Sequence, residues 1–424
     1  MRQFLSGLIY NKYMFSAHAA DVNVNPKWAD FIRREDRLYR REGDPRSEFA
    51  RDYNRILHCT AYRRLKHKTQ VFFAPENDHI CTRIEHVNHV AAISYTIPQA
   101  FGLNTELTNA IAIGHDLGHT PFGHAGQDIL NNIAKDITND KFWHEKNSLW
   151  FVDNLETLPD PENKERNLSL TYAVRDGIVC HCGEVDKDSI FPRSDAIDLE
   201  EISEPGQVQP FSWEGCVVKV ADKIAFLGRD IEDAVRLNIL APPAFFKRSR
   251  KLVPYLVDDI KLVGLREINN TLLIHTLILD LCSSSSPELG IRFSEKRLQL
   301  IKGLRQLSEE LIYEHPRLNR YKQFAKMVLE SIYQELSSCY AGKDSLNRLK
   351  EQLSPYELLK DTFSSWIIQY TDSNPPEREK RRYENKVVYK IENEQDYHRA
   401  IIDYISGMTD NFALAVFDEL IRFR

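Results

Sequence analysis

At 424 residues with 42% hydrophobic content, the chain is long enough for two or three domains around a sizeable core. A formal net charge of -6 excludes a dedicated nucleic-acid coat, which needs a basic surplus facing the phosphates. The seven cysteines are odd in number and scattered, which argues against a disulfide frame and for a reducing, cytoplasmic compartment.

Asn11, Lys12 and His18 interrupt the apolar opening, so no signal peptide is expected. No apolar run approaches the ~20 residues that span a bilayer, so no membrane partner is expected. Apolar residues from Phe49 to Leu65 recur at helical spacing and predict one amphipathic helix over 48–69. The basic clusters Arg33-Arg34, Arg63-Arg64 with Lys66 and Lys68, Lys247-Arg248 with Arg250-Lys251, and Arg381-Arg382 read as solvated helix faces. A second helix is expected over 80–100, ending at Phe101-Gly102, and a third over 105–113, opened by Asn104 or Thr105. Gly118, Pro121 and Gly123 then break the backbone, placing His119 and His124 on a turn. Further helices are expected over 142–156, 171–179, 217–237, 294–314, 322–341, 355–370 and 396–422. The polar stretch 183–213 reads as a flexible flap, and 282–287 and 371–376 as breaks. The expected fold is all-α. Residues 1–45 form an N-terminal segment, 46–290 a helical catalytic core carrying that flap, and 291–424 a C-terminal helical accessory region.

The run from His115 to His124 puts three imidazoles and a carboxylate within one short stretch, and His86 lies on the preceding helix. Imidazole nitrogen with carboxylate oxygen suits Mn²⁺, Fe²⁺, Mg²⁺ or Zn²⁺ better than a thiolate-type site. Asp222-Lys223 interrupts an otherwise buried helical stripe, which is costly for a carboxylate unless it is paired or bound to metal. Asp222 is therefore the fourth candidate ligand beside His86, His115 and Asp116, and Lys223 next to it favours an anionic substrate. His144-Glu145 is a candidate proton-transfer pair. Cys180-His181-Cys182 has ligand-like spacing but lacks a second pair.

The order His86, His115-Asp116, Asp222 resembles the H…HD…D signature of the HD-domain phosphohydrolases. The strings at 46–52, 63–72 and 121–124, with Gly407-Met408-Thr409-Asp410, resemble the bacterial dGTP triphosphohydrolase group over roughly residues 28 to 424. That resemblance implies an HD-domain core cleaving a dNTP at the α-phosphorus to deoxynucleoside and tripolyphosphate. It implies a divalent ion, Mn²⁺ or Mg²⁺ first, then Fe²⁺, Ni²⁺ or Zn²⁺, on His86, His115, Asp116 and Asp222. Arg83, His119 and Lys223 would meet the phosphates, Gln70 and Val71 would line the deoxyribose, Phe226 would lie against the substrate and Asp230 near the 3′-hydroxyl. His124 matches the catalytic histidine, supported by His144 and Glu145. The resemblance also implies a homo-oligomer, tetramer or hexamer, and regulation by an allosteric dNTP or single-stranded DNA.

One departure stands out. Many members of that group carry an acid three residues after the catalytic histidine, where this chain has Gln127, so Glu145 or Asp128 is expected to partner His124. Alternative readings are another HD phosphohydrolase, a nucleotidase or phosphodiesterase; a nucleotide-sensing or single-strand-binding regulator with little catalysis; and a structural helical scaffold.

Overall fold

Helical patterning carries through to the three-dimensional structure, a computed structural model that describes residues 13–422 apart from 37, 40–41, 74–78, 139–140, 183–188, 242–246, 249–262 and 265–266. The architecture is all-α, with small antiparallel hairpins such as Thr157–Pro159 paired with Glu165–Asn167. Arg250 and Lys251 of one basic cluster, most of the N-terminal opening and part of the expected flap lie outside the described residues.

The centre of the fold is the Thr105–Gly114 helix. Its residues from Ala110 to Gly114 are all buried, and it packs against the Glu48–His58, Arg83–Phe101, Tyr172–Cys180 and Trp213–Arg236 helices. Asn104 caps its start by accepting from the amides of Glu106 and Leu107. A helix apolar on all sides must be surrounded, and whatever follows its C-terminal end emerges at the heart of the bundle. His115 and Asp116 follow it directly. The Arg83–Phe101 helix begins with a capping box between Thr82 and Glu85 and ends at Gly102 in the left-handed region.

Several expectations are corrected. The single helix over 48–69 breaks at Cys59, where the chain turns extended. The cause is tertiary: the buried Glu156 carboxylate accepts from Thr60 Oγ1 at 2.8 Å and from the Ala61 amide at 2.9 Å, capping a new short helix, Thr60–Arg64. The expected 396–422 helix is two, Glu394–Ser406 and Asp410–Ile421, because Thr409 caps the second through the Phe412 amide. His124 lies within the Gly123–Thr138 helix and not on a turn. Phe122 and Gly123 both adopt positive φ, reversing the chain so that a helix starts at once. Lys68 is not solvated but 1% exposed, donating to the Ser406 carbonyl at 2.9 Å and to that of His119. Arg34 is likewise drawn inward, paired with Asp52 at 2.6 Å.

The 189–212 segment is irregular, as expected of a flap, yet Ile190, Leu199, Ile202 and Phe211 anchor it in the core. Beyond residue 290, the Pro316–Ser338 and Glu394–Ser406 helices pack on Gly123–Thr138, the helix that carries His124. No helix among the described residues is long and apolar enough to cross a membrane.

Candidate functional site

Three elements converge on one buried point. His86 comes from the first turn of the Arg83–Phe101 helix, His115 and Asp116 from the end of the central helix, and Asp222 from the middle of Trp213–Arg236. His86 Nε2 stands 2.9 Å from Asp222 Oδ1, and His115 Nε2 stands 3.8 Å from both Asp222 Oδ1 and Asp116 Oδ2. The ligand atoms of His86, His115 and Asp222 lie within 4.8 Å of one another.

These residues fit a divalent ion on their own geometry. His115 Nδ1 is bonded to the Ala112 carbonyl at 2.7 Å, while its Nε2 is buried without a hydrogen-bond partner. A buried acceptor left unmatched costs free energy unless something fills the position. Burial works to raise Asp116, but the Arg83 guanidinium and the surrounding imidazoles outweigh it and hold the carboxyl well below its usual range. Asp222 is held down against burial by its bond to His86 and by the further imidazoles.

A cavity of about 480 Å³ opens above this point. Its walls include Gln70, Val71, Arg83, His119, Lys223, Phe226 and Asp230, so all the substrate-contact candidates line it. Arg83 is tightly held: its guanidinium donates to Asp116 Oδ2 at 2.6 Å, to the Gln70 carbonyl at 3.0 Å and to that of Thr69 at 3.2 Å. Gln70 Oε1 is buried with no partner, an acceptor available to a ligand hydroxyl. Asp230 accepts from the Tyr313 hydroxyl at 2.6 Å, and burial pushes its carboxyl up to about 6 against that bond.

His119, His124 and His144 form the remaining wall, with ring centroids between 4.5 and 5.8 Å apart. Gly118 and Gly126 allow the turn to lie this close. A Cβ on Gly118 would sit 2.2 Å from the Ser148 amide nitrogen, and one on Gly126 1.9 Å from the Pro121 carbonyl oxygen. The turn is locked from the far end of the chain by Asp410, which accepts from the Phe122 amide at 2.9 Å and from Thr69 N and Oγ1 at 3.0 and 2.7 Å. His124 is exposed to the cavity, and desolvation by the surrounding protein, then the Arg83 charge, brings it down to about 4. Burial, ahead of the Arg83 charge, also lowers His119 well below the ordinary histidine value.

The expected partnering of His124 is corrected. Gln127 faces His144: its Oε1 accepts from His144 Nδ1 at 2.7 Å and from the His144 amide at 3.0 Å. Glu145 also faces His144, with Oε2 3.4 Å from Nδ1, and burial pushes it up to about 8, where it cannot hold a neighbour charged at neutral pH. No hydrogen bond joins Asp128 to His124 among the described residues.

Sequence reasoning passed over several wall residues. His181 lines the cavity, 4.9 Å from the His115 ring centroid. The C-x-C spacing around it pointed to cysteine ligands, yet among the described residues no cysteine joins any metal-capable group. Arg305, Tyr313, Tyr321 and Lys322 come from helices after residue 290, and nothing local in the sequence marks them.

The HD-domain family profile matches residues 83–227, the stretch holding all four candidate ligands, and the phosphohydrolase-associated domain profile matches residues 367–419. A deoxyguanosinetriphosphate triphosphohydrolase-like protein of Caldanaerobacter subterraneus subsp. tengcongensis is 33% identical over 377 residues, 89% of this chain and 86% of that protein. Proteins of the same description from Desulfatibacillum aliphaticivorans and Thiobacillus denitrificans are 36% identical over 291 residues and 31% over 383. They cover 68% and 87% of this chain and 73% and 89% of their own lengths.

Proposed function

The chain belongs to the deoxyguanosinetriphosphate triphosphohydrolase-like family of HD-domain phosphohydrolases, and from that premise we propose that it hydrolyses deoxynucleoside triphosphates at the α-phosphorus, releasing deoxynucleoside and tripolyphosphate. That it is a metal-dependent hydrolase of nucleoside triphosphates follows from the family; the deoxyribose preference and the bond cleaved are the proposal. The observation that carries it is the shared cavity: phosphate-class cations, an unmatched sugar-class acceptor and the histidine cluster open onto one space of about 480 Å³. That volume is in the range of small-ligand sites.

A triphosphate carries about four negative charges at neutral pH, and phosphoryl transfer depends chiefly on positioning and on neutralising that charge. A divalent ion held by His86, His115, Asp116 and Asp222, Mn²⁺ or Mg²⁺ by the donor set, supplies charge neutralisation and a more acidic water when bound. Arg83 and Lys223 receive the phosphates, and Arg305 and Lys322 line the same cavity. Arg83 has two roles, since its bonds to Thr69 and Gln70 fix the sugar-side turn while its charge faces the phosphates. Gln70 Oε1 accepts the 3′-hydroxyl, Val71 packs at C2′ where a ribose would carry an oxygen, and Asp230 with Tyr313 closes the sugar end. Phe226 supports the nucleoside.

The 5′-oxygen is a poor leaving group and needs a proton. His124 donates it. Its imidazole is neutral in the empty site, being brought down to about 4, and the arriving negative charge raises its proton affinity so that the donor is loaded by the substrate itself. His144, oriented by Gln127, fills the wall between His124 and the metal ligands.

The test is a screen of each dNTP and NTP, alone and mixed, with Mn²⁺, Mg²⁺ and other divalent ions, with the products identified. Tripolyphosphate with a deoxynucleoside is the expected pair. Release of inorganic phosphate or pyrophosphate, or equal turnover of NTPs, contradicts the proposal.

A further inference from the structure

We propose that Glu309 selects the nucleobase, its carboxylate accepting two hydrogen bonds from the N1–H and the 2-amino group of guanine. The inference deepens the reading of the cavity as a dNTP site and rests on it.

The base end of the cavity is found by elimination. Arg83, His119 and Lys223 take the phosphates, and Gln70, Val71 and Asp230 with Tyr313 take the sugar. The wall left over includes Phe73, Glu309, Leu318, Tyr321 and Ala325. It is aromatic where a flat ring would lie: the Phe73 and Tyr321 ring centroids are 5.5 Å apart, and Phe73 also packs on Phe122 at 4.7 Å. Stacking on aromatic side chains favours every base, so such a surface holds a base without choosing one. The choice needs a polar group on the same wall. Among the described residues, Glu309 is the only carboxylate that the region after residue 290 gives to the cavity.

Helix geometry brings Glu309 there. The Glu295–Ser308 helix widens at its end into a π turn, Glu309–Tyr313, in which the Glu314 amide donates to the Glu309 carbonyl at 3.2 Å. Eight residues of uninterrupted α-helix would leave Tyr313 ~80° around the axis from Arg305. The wider turn takes up that excess, so Arg305, Glu309 and Tyr313 all reach the cavity. Such turns are rare and recur at functional sites. Tyr313 ties this one to the sugar end by donating to Asp230 Oδ2 at 2.6 Å, which leaves Glu309 one turn along from the sugar contact. Its charge bears on Tyr313, whose hydroxyl is raised well above its usual range by burial, then by Asp230, with Glu309 adding to both. The adjacent Glu310 is paired with Arg248 at 2.7 Å, whereas among the described residues no cation pairs with Glu309.

An ionised carboxylate only accepts. Guanine alone among the four bases presents two adjacent donors on one edge. Adenine and cytosine place an acceptor beside their amino group, and thymine has a single N–H between two carbonyls. Two parallel charge-assisted hydrogen bonds are therefore open to guanine only, while the other bases bring a lone pair against the carboxylate.

The experiment measures kcat/KM for dGTP, 2′-deoxyinosine triphosphate and dATP on the full-length protein with Mn²⁺, in wild type, Glu309→Gln and Glu309→Ala. Deoxyinosine lacks only the 2-amino group and keeps one of the two donors. The expected wild-type order is dGTP, then the inosine analogue, then dATP. In both variants kcat/KM for dGTP should fall by ~10–100-fold relative to that for dATP, the scale of a bidentate base contact. Near-ultraviolet circular dichroism checks that the variants are folded. A dGTP preference that survives in either folded variant, an equal loss on all three substrates, or a wild type that does not distinguish them overturns the base assignment and leaves dNTP hydrolysis intact. Failure to release tripolyphosphate from any dNTP overturns the reading of the site and this inference with it.

Discussion

Replacing Asp410 tests whether the C-terminal region holds the catalytic turn in place. Asp410 is 2% exposed and accepts three hydrogen bonds, one from the Phe122 amide and two from Thr69. In Asp410→Ala two buried backbone amides lose their acceptor at ~1–3 kcal/mol each, so the folded state loses ~2–6 kcal/mol. That is a large share of the ~5–15 kcal/mol that stabilises an ordinary domain. Asp410→Asn replaces one of the two oxygens with an amino group, leaves at least one amide facing a donor, and should cost about half as much. The catalytic effect follows from the neighbours: Phe122 holds φ at 62° two residues before His124, and Thr69 precedes Gln70. Positive φ at a non-glycine residue costs ~1–3 kcal/mol and persists only while its surroundings hold it. A misplacement near 1 Å costs ~10²-fold in rate, so kcat should fall by about that factor at temperatures where the variant remains folded. Urea unfolding with steady-state kinetics on dGTP measures both. Asp410→Ala within ~0.5 kcal/mol of wild type, the range of ordinary surface changes, and with full kcat would refute the account.

Other outcomes follow from the same geometry. His115→Ala and Asp116→Ala should each lose Mn²⁺ binding and hydrolysis together; wild-type activity that survives thorough chelation would contradict the metal reading. His124→Ala should retain metal and substrate binding while kcat falls by ~10²–10⁴, the scale of general acid catalysis. The limb in which activity falls with rising pH should lie at higher pH in kcat than in kcat/KM, because the substrate's charge lifts a group that sits at about 4 in the empty site, and it should vanish in that variant. Gln70→Ala should raise KM for dGTP and narrow the preference for dGTP over its 2′,3′-dideoxy analogue, and an unchanged ratio would remove Gln70 from the 3′-hydroxyl contact. Burial pushes Glu145 from 4.5 up to about 8, so its stabilisation of the metal-free fold is present below 4.5 and lost as pH rises toward 8. Glu145→Gln should therefore gain on wild type in urea melts over that interval, and a pH-independent difference would show the carboxyl is not buried as described.

The chemistry of the site was legible where it was local. His115-Asp116 follows an apolar helix with an evident cap, and Asp222 breaks a buried stripe, so sequence spacing alone marked both. The single helix over 48–69 was not legible as two, because its break depends on Glu156, a carboxylate from a distant segment. Nor was the separation at Gly407-Met408-Thr409, where a cap wins over a continuous apolar pattern. Gln127 follows His124 closely in the sequence, but the fold turns its side chain to His144, a pairing that sequence distance does not reveal. His181 was hidden by its cysteine neighbours, and Lys68 by the basic residues preceding it, since burial of a charged side chain leaves no mark in local composition. The cavity walls after residue 290 are contributed by tertiary packing alone.

Hydrolysis of dGTP in ¹⁸O-labelled water, followed by ³¹P NMR and mass spectrometry of the products, tests the central claim most directly. Attack at the α-phosphorus predicts one labelled oxygen on a terminal phosphorus of tripolyphosphate and none in the deoxyguanosine released with it. Label in orthophosphate or pyrophosphate, or a nucleotide product in place of the deoxynucleoside, would contradict it.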